Sequence, residues 1–411
     1  MKILLLTPQL PFPAYQGTSL RNLHILRGLA QEHSVILLSY TDSDNPGLIP
    51  PQLEELCAEI VTVPAPGRLF SRRLWQMVST SQPDMALRLL SPDYEAALRK
   101  LLRQQTFDIA QIEGIELAWT IPIFREAVPD LPLIYDAHNA ETLLQQRAGE
   151  ADLGSLRRLP AVLYSKLQSA RLNAYEAWVC AAVDRVTAVS EADSKALQSL
   201  AGLPSGSIPV IPNSIDVAAY HPVSETESAA AEPTAYDVVF SGKMDYRPNV
   251  DAVLWFADEV WPLLQEQRPG TTWAIVGQKP HPRLERLRRL PGVTLTGWVP
   301  EVKPYLDSAK VFIMPFRVGS GTRLKLIEAL AAGRAVVSTA VGVEGFPVID
   351  GRDVLIADTA QAFAGQVSTL LENPRQRIEL GEQGLQFSQN YDWRVVVPRF
   401  LTIYDSHLAE K

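Results

Sequence analysis

The chain has 411 residues, 46% of them hydrophobic and 20% charged, so it can fill ordinary apolar cores and is not a disordered polymer. A net charge of −8 argues against a chain-wide grip on nucleic acid, which needs a concentrated basic surface. The two cysteines, Cys57 and Cys180, stand far apart without metal-type spacing and read as buried thiols of a reducing compartment.

The aliphatic run Ile3 to Leu6 is too short for a signal-peptide core or a membrane span and fits a buried first strand. No later stretch reaches about 18 apolar residues without a charge, so a cytoplasmic location is expected. Lys2 to Thr7 reads as a strand, Ser19 to Glu32 as a helix and Val35 to Tyr40 as a second strand. This opening is that of a doubly wound α/β domain, whose ligands gather beyond the carboxyl ends of the strands. Gly17 stands there, either to permit a turn or to let a substrate approach the backbone.

Further strands are expected near Glu59 to Val63, Phe107 to Ile112, Leu133 to Asp136 and Arg185 to Val189. The strand at Leu133 ends in Asp136-Ala137-His138-Asn139-Ala140-Glu141, a polar cluster at the edge where such folds do chemistry. Ser190 before an apolar pattern is a helix N-cap signal. Two segments, 68–75 and 156–180, interleave basic and aromatic residues. Each is a solvated face beside a core face, or an element lying on a membrane surface. Residues 222–233, PVSETESAAAEP, lack apolar period and mark a linker.

After the linker the alternation restarts, with strands at Val238 to Ser241, Trp273 to Val276 and Val293 to Thr296. A helix is expected over Val250 to Gln267. The stretch Val311 to Ser338 reads as strand, glycine loop (Val318 to Gly321), helix (Thr322 to Ala332) and strand. A loop of this kind at a helix start gathers backbone N–H groups and the positive end of the helix dipole, which suits a diphosphate. Spacing puts Thr322, Lys325 and Glu328 on one side of that helix. Lys325 suits a phosphate and Glu328 a ribose diol, and Lys243 and Arg247 supply further positive charge after the first strand of this half. The tail from Trp393 to Leu408 reads as one helix. Two such halves make an α/β protein of two Rossmann-like doubly wound domains facing a cleft. The boundaries are 1–222, with a C-terminal helix 392–411 joining that domain, then linker 223–235, then 236–391.

The segment GTRLKLIEALAAGRAVVSTAVGVEG, Gly321 to Gly345, resembles glycosyltransferases of the GT-B fold in the large retaining, metal-independent family 4, group 1. SGKMDYRPNVDAVLWF, IVGQKP, LTGWVPEVKPYL and DAHNAE support the resemblance, which is dense from Val238 to Leu355 and thinner before it. The resemblance implies a nucleotide-diphosphate sugar as co-substrate, no cofactor and no metal. It implies Glu328 on the donor ribose, Lys243 on the diphosphate, and the N–H groups of Gly319, Ser320, Gly321 and Thr322 around sugar and phosphates. Gly17 would face the reacting sugar, His138 would contact it, and Trp298-Val299 would border the base. Lys243, Lys325 and His138 would carry catalysis, with Arg247 as a further donor contact. Two places depart from the pattern. The position eight residues before Glu328, often a second glutamate, is Ser320, and a lysine usual five residues after Lys243 is Pro248. The implied function is sugar transfer to a glycan or lipid-linked acceptor in exopolysaccharide or cell-envelope synthesis, with peripheral contact at the inner membrane face and no nucleic acid. A non-catalytic nucleotide-sugar-binding subunit and a nucleotide-sugar epimerase of the same fold remain alternatives.

Overall fold

The computed structural model describes residues 1–14, 17–41, 49–67, 79–150, 159–220, 235–319 and 321–409, and for 146–150, 159–167 and 409 the backbone only. Segment 68–75, Ser320 and the expected linker core 222–233 lie outside the described residues. The chain forms two compact units, residues 1–214 with 393–411, and residues 215–392.

In the first unit the strands are β1 (Lys2–Thr7), β2 (Ser34–Thr41), β3 (Glu59–Pro64), β4 (Ile109–Glu113), β5 (Leu133–Ala137) and β6 (Arg185–Ala188). They form one parallel sheet in the order β3-β2-β1-β4-β5-β6. Parallel strands need both faces covered, which is why β1 and β2 carry the unbroken apolar runs Ile3 to Leu6 and Val35 to Leu38. Their side chains alternate between two cores. Leu4, Leu6, Ile36 and Leu38 enter one. Ile3, Leu5, Val35 and Leu37 enter the other, with Phe400 and Tyr404 of the C-terminal helix. The tail is two helices, Trp393–Val396 and Pro398–Ala409, because Pro398 has no N–H to continue a single one. Gly28 admits it closely, since a Cβ there would lie 2.4 Å from Val397 Cγ1.

In the second unit the strands are β7 (Tyr236–Ser241), β8 (Trp273–Val276), β9 (Val293–Gly297), β10 (Ala309–Met314), β11 (Ala335–Ser338) and β12 (Leu355–Ile356). They form a parallel sheet in the order β12-β11-β10-β7-β8-β9. Ile215 bridges to Asp392, and the Val217 N–H donates to Asp392 Oδ2 at 3.0 Å, so residues 215–220 pack with this unit rather than the first. The helix expected over Val250 to Gln267 starts three residues earlier, ends as expected and carries a π turn. Arg247–Trp255 passes through a π turn, Phe256–Val260, into Trp261–Gln267, where Pro262 cannot donate to a carbonyl four residues back. The helix after the glycine loop is Leu324–Ala331, two residues shorter at its start than its pattern suggested.

Among the described residues no helix is long and apolar enough to cross a membrane. In the helix Leu159–Ala182, Tyr175 is buried while Trp178 is exposed and stacks on it at 5.4 Å, so the aromatic pattern divides between core and surface.

Candidate functional site

The strand order of the second sheet reverses between β7 and β10, and ligands of doubly wound sheets bind at such switch points. Lys325 joins the two strand ends. Its Nζ donates to the Ser241 carbonyl at 2.7 Å and to Asn249 Oδ1 at 3.0 Å. It also lies 4.7 Å from the Phe240 ring centre and 5.2 Å from that of Phe316. Gly242 makes the room, because a Cβ there would lie 2.5 Å from Nζ. Burial pushes this ammonium down to about 7, Glu328 opposes the shift and Arg323 adds to it. Burial pushes the Glu328 carboxyl up, and the nearby Tyr220 hydroxyl and Lys325 oppose the shift without cancelling it. Tyr220 comes from the short 3-10 turn Val217–Tyr220, so it is a site neighbour that sequence spacing could not reveal.

Lys243 follows Gly242 with its ammonium exposed, 3.7 Å from Asp245 Oδ1. Arg247 is exposed at the first turn of its helix. Lys243, Lys325 and Glu328 therefore gather about the end of β7 and the start of the helix Leu324–Ala331. Trp298 follows β9, two strands away from β7 in the sheet, with its ring 69% exposed, and Val299 is half-buried beside it.

Gly319 and Gly321 have φ of +116° and +79°, which side-chain-bearing residues avoid, so both glycines are required by the backbone. Thr322 precedes the helix instead of sharing a face with Lys325, because the chain is extended through Arg323. Arg323 was not singled out by sequence. Its Nη1 donates to the Val341 carbonyl at 2.6 Å and its guanidinium lies over Phe316 at 4.7 Å, fastening the glycine loop to the chain after β11.

In the first unit, a second polar centre stands at the carboxyl ends of β4 and β5. His138 Nε2 lies 2.8 Å from Glu113 Oε2 and 3.7 Å from Asp136 Oδ2. Arg21 grips Asp136 with two bonds, Nε to Oδ2 at 2.6 Å and Nη2 to Oδ1 at 2.8 Å. Thr187 also donates to Oδ1, and Arg21 Nη1 donates to the Pro212 carbonyl at 3.1 Å and to Asn213 Oδ1 at 3.2 Å. Burial pulls the Asp136 carboxyl upward, but Arg21 outweighs it and the net direction is down. Burial pushes Glu113 up, aided by Asp136. Burial lowers His138, but its bond to Glu113 wins and raises it. Arg21 and Glu113 escaped sequence reading. The available signal was positional, since Glu113 ends β4 as Asp136 nearly ends β5. Glu113, Asp136 and His138 offer ligand atoms within 4.8 Å of one another. They are a poor cation site, because Arg21 already takes both Asp136 oxygens. Gly17 is the first residue of the helix Gly17–Leu29 rather than part of a loop, and a Cβ there would meet nothing within 4 Å.

Two family models cover most of the chain. Residues 15–219 match "Glycosyltransferase Family 4" and residues 235–373 match "Glycosyl transferases group 1". The chain belongs to glycosyltransferase family 4, group 1. Among relatives of this family 4 member, the D-inositol 3-phosphate glycosyltransferase of Pseudarthrobacter chlorophenolicus is 25% identical over 230 residues, 51% of this chain and 52% of that protein. The phosphatidyl-myo-inositol mannosyltransferase of Mycolicibacterium smegmatis is 27% identical over 202 residues, 48% of this chain and 51% of that protein. The match thus spans about half the length of these curated relatives. Sucrose-phosphate synthase from Thermosynechococcus elongatus superposes with a TM-score of 0.71 over 100% of both chains at 16% identity. HepE from Anabaena, solved in complex with UDP, superposes with a TM-score of 0.68 over 99% of this chain and 100% of that one, also at 16% identity. At these identities the superpositions speak for the fold, two Rossmann-like domains of the GT-B type.

Proposed function

We propose that the family 4 member moves a sugar from a nucleoside-diphosphate sugar to an acceptor hydroxyl, with retention and without a metal ion, in exopolysaccharide or cell-envelope glycan synthesis. The observation that carries this is the cationic switch point of the second unit, where Lys325 and Lys243 flank Gly242 beside a glycine loop. A site built this way is suited to a diphosphate, and HepE was solved with UDP, a ligand of that class.

In this reading Glu328, oriented by Tyr220, takes the ribose hydroxyls, and the exposed Trp298 ring with Val299 borders the base. Lys243, Lys325, Arg247 and the amides of 319–322 stabilise charge developing on the leaving diphosphate, which is the chief electrostatic demand of the reaction. The acceptor attacks from the leaving group's own face and the departing diphosphate receives its proton. No second carboxylate at glycosidase spacing is then needed. His138 and Gly17 are assigned to the sugar end in the first unit. The protein works in the cytoplasm, in peripheral contact with the inner membrane face, and its acceptor is a glycan or a lipid-linked glycan.

The experiment is a turnover and binding screen of UDP-, GDP-, dTDP- and ADP-sugars with the whole chain, repeated with Lys243→Ala combined with Lys325→Ala. Nucleoside diphosphate release from one donor, falling at least about 100-fold in the double variant, is expected. Turnover within a few-fold of the parent rejects the residue assignment. Tight donor binding with no turnover, with or without acceptor, identifies a binding subunit instead. A new nucleotide sugar formed without acceptor identifies an epimerase.

A further inference from the structure

Glu113 is fully buried, yet each of its oxygens is occupied from a different direction. Oε2 faces His138 Nε2 at 2.8 Å. Oε1 accepts from Gln111 Nε2 at 2.5 Å. Gln111 Oε1 in turn accepts from the Tyr404 hydroxyl. Gln111 and Glu113 stand two apart on β4 and so share a face, and Tyr404 lies fully buried on the C-terminal helix Pro398–Ala409. A carboxylate fixed from behind in this way cannot swing out to a ligand. It can only hold the ring in front of it. Beyond Nε2, Asp136 is fixed by Arg21 and Thr187.

The other nitrogen of the ring is left open. Among the described residues His138 Nδ1 has no hydrogen-bond partner. It sits beside Gly114, where a Cβ would come 3.6 Å from Nδ1 and 3.1 Å from Glu116 Oε2. Gly114 has φ of +82°, so the backbone itself keeps a side chain away from this edge of the ring.

We propose that Glu113 is the positioning residue for His138, clamped by Gln111 and by Tyr404 of the C-terminal helix, so that Nδ1 is the nitrogen presented to the sugar. The inference rests on the transferase reading, in which His138 meets the sugar. A carboxylate on one imidazole nitrogen selects which tautomer the other nitrogen offers. While the ring is an imidazolium, Nδ1–H donates. When it loses a proton, Nε2 keeps its hydrogen against Glu113 and Nδ1 becomes an acceptor for a hydroxyl. The charged groups about the ring are Glu113 on β4, Glu116 after it, Asp136 on β5, Arg21 on the helix Gly17–Leu29 and Glu141 on the helix that follows β5. The clamp also gives the C-terminal helix a task beyond filling the core, since its only fully buried hydroxyl reaches the site through Gln111.

The test pairs kinetics with histidine NMR on the whole chain. Wild type is expected to show the Nε2–H tautomer for neutral His138 in a 15N-histidine spectrum, assigned by loss of the signal in His138→Gln. Glu113→Ala is expected to lower kcat about 10- to 100-fold, the scale of a misplaced catalytic group. The donor KM should stay within a few-fold, and both the His138 titration and the kcat profile should move to lower pH. Glu113→Gln should recover part of the loss, and Tyr404→Phe should shift the titration in the same direction by less. A folded Glu113→Ala with unchanged kcat and pH profile overturns the proposal, as does an Nδ1–H tautomer in the wild type. If Glu113→Ala does not fold, the wild-type tautomer and Tyr404→Phe decide. Absence of turnover by the wild type with every nucleotide sugar would reject the transferase reading instead, while the spectrum still judges the clamp.

Discussion

Lys325 Nζ and the Ser241 carbonyl oxygen lie 2.7 Å apart, so an ammonium from the helix after the glycine loop is anchored on the end of β7. Its burial places its titration at about 7, far below the ordinary 10.5. A diphosphate brought next to it favours the charged form. Nucleoside diphosphate binding at pH 7.5 is therefore expected to take up protons. Calorimetry in two buffers of different ionisation enthalpy measures this directly, and Lys325→Met should abolish the uptake and weaken binding about tenfold or more. The sign for stability follows from the same shift. Between about 7 and 10.5 the folded chain binds fewer protons at Lys325 than the unfolded one, so this residue's contribution improves as pH rises through that window.

Gly277 directly follows β8 beside this site. A Cβ on it would fall 1.7 Å from the Gly242 carbonyl oxygen, a backbone atom with nowhere to go. Gly277→Ala must displace Gly242, and with it the contact between Gly242 and Lys325. A loss of at least about 1–3 kcal/mol is expected, the range for forced overpacking, together with reduced nucleotide diphosphate affinity. Urea unfolding and a binding titration check both. Gly351→Ala, where a Cβ meets nothing within 4 Å, controls for the strain of placing alanine at a positive φ, here +77°.

The strands were legible because their apolar runs are short, unbroken and spaced by helical patterns, as a sheet covered on both faces requires. Boundaries failed where one residue overrode the period. Pro398 starts a new helix where the apolar spacing of the tail runs on as one, Pro262 accompanies a π turn inside a helix that still ends at Gln267, and the extended chain at Arg323 delays a helix whose pattern starts at Thr322. At the sites, Lys325 and Glu328 could be found from their spacing near a glycine loop. Glu113 and Arg21 could not, because each matters only through a partner distant in sequence. Arg21 meets Asp136 across 115 residues, and Tyr404 meets Gln111 across 293.

The Arg21–Asp136 pair is buried, bidentate and surrounded by further donors and acceptors. Removing one partner leaves an uncompensated charge. Arg21→Ala is therefore expected to cost about 3–5 kcal/mol at neutral pH. Asp136 has its titration lowered in the fold, so its stabilising contribution is present above its ordinary value of 3.8 and is lost as pH falls through the folded value. The penalty of Arg21→Ala should accordingly shrink in acid. Urea unfolding of both proteins at neutral pH and near pH 3 measures the difference, and a penalty independent of pH would show that Asp136 is not the group concerned.

Trp298 is a large ring left 69% exposed at the carboxyl end of β9, on the sheet edge where the switch-point loops also emerge. Burying a ring of this size is worthwhile to a fold, so its exposure suits a stacking partner supplied from outside. A nucleobase provides one, and removal of an aromatic platform costs about 1–3 kcal/mol per stacked base. Trp298→Ala is expected to raise the Kd for the nucleoside diphosphate roughly 5- to 150-fold by that energy. Trp298→Phe should retain most of the affinity, because it keeps a flat ring. Thermal stability should hardly move in either variant, since an exposed side chain contributes little to the core. Tryptophan fluorescence should quench on nucleotide addition in the wild type, with the Trp298-dependent part absent from both variants. Equal affinity of wild type and Trp298→Ala would remove the base from this side of the sheet.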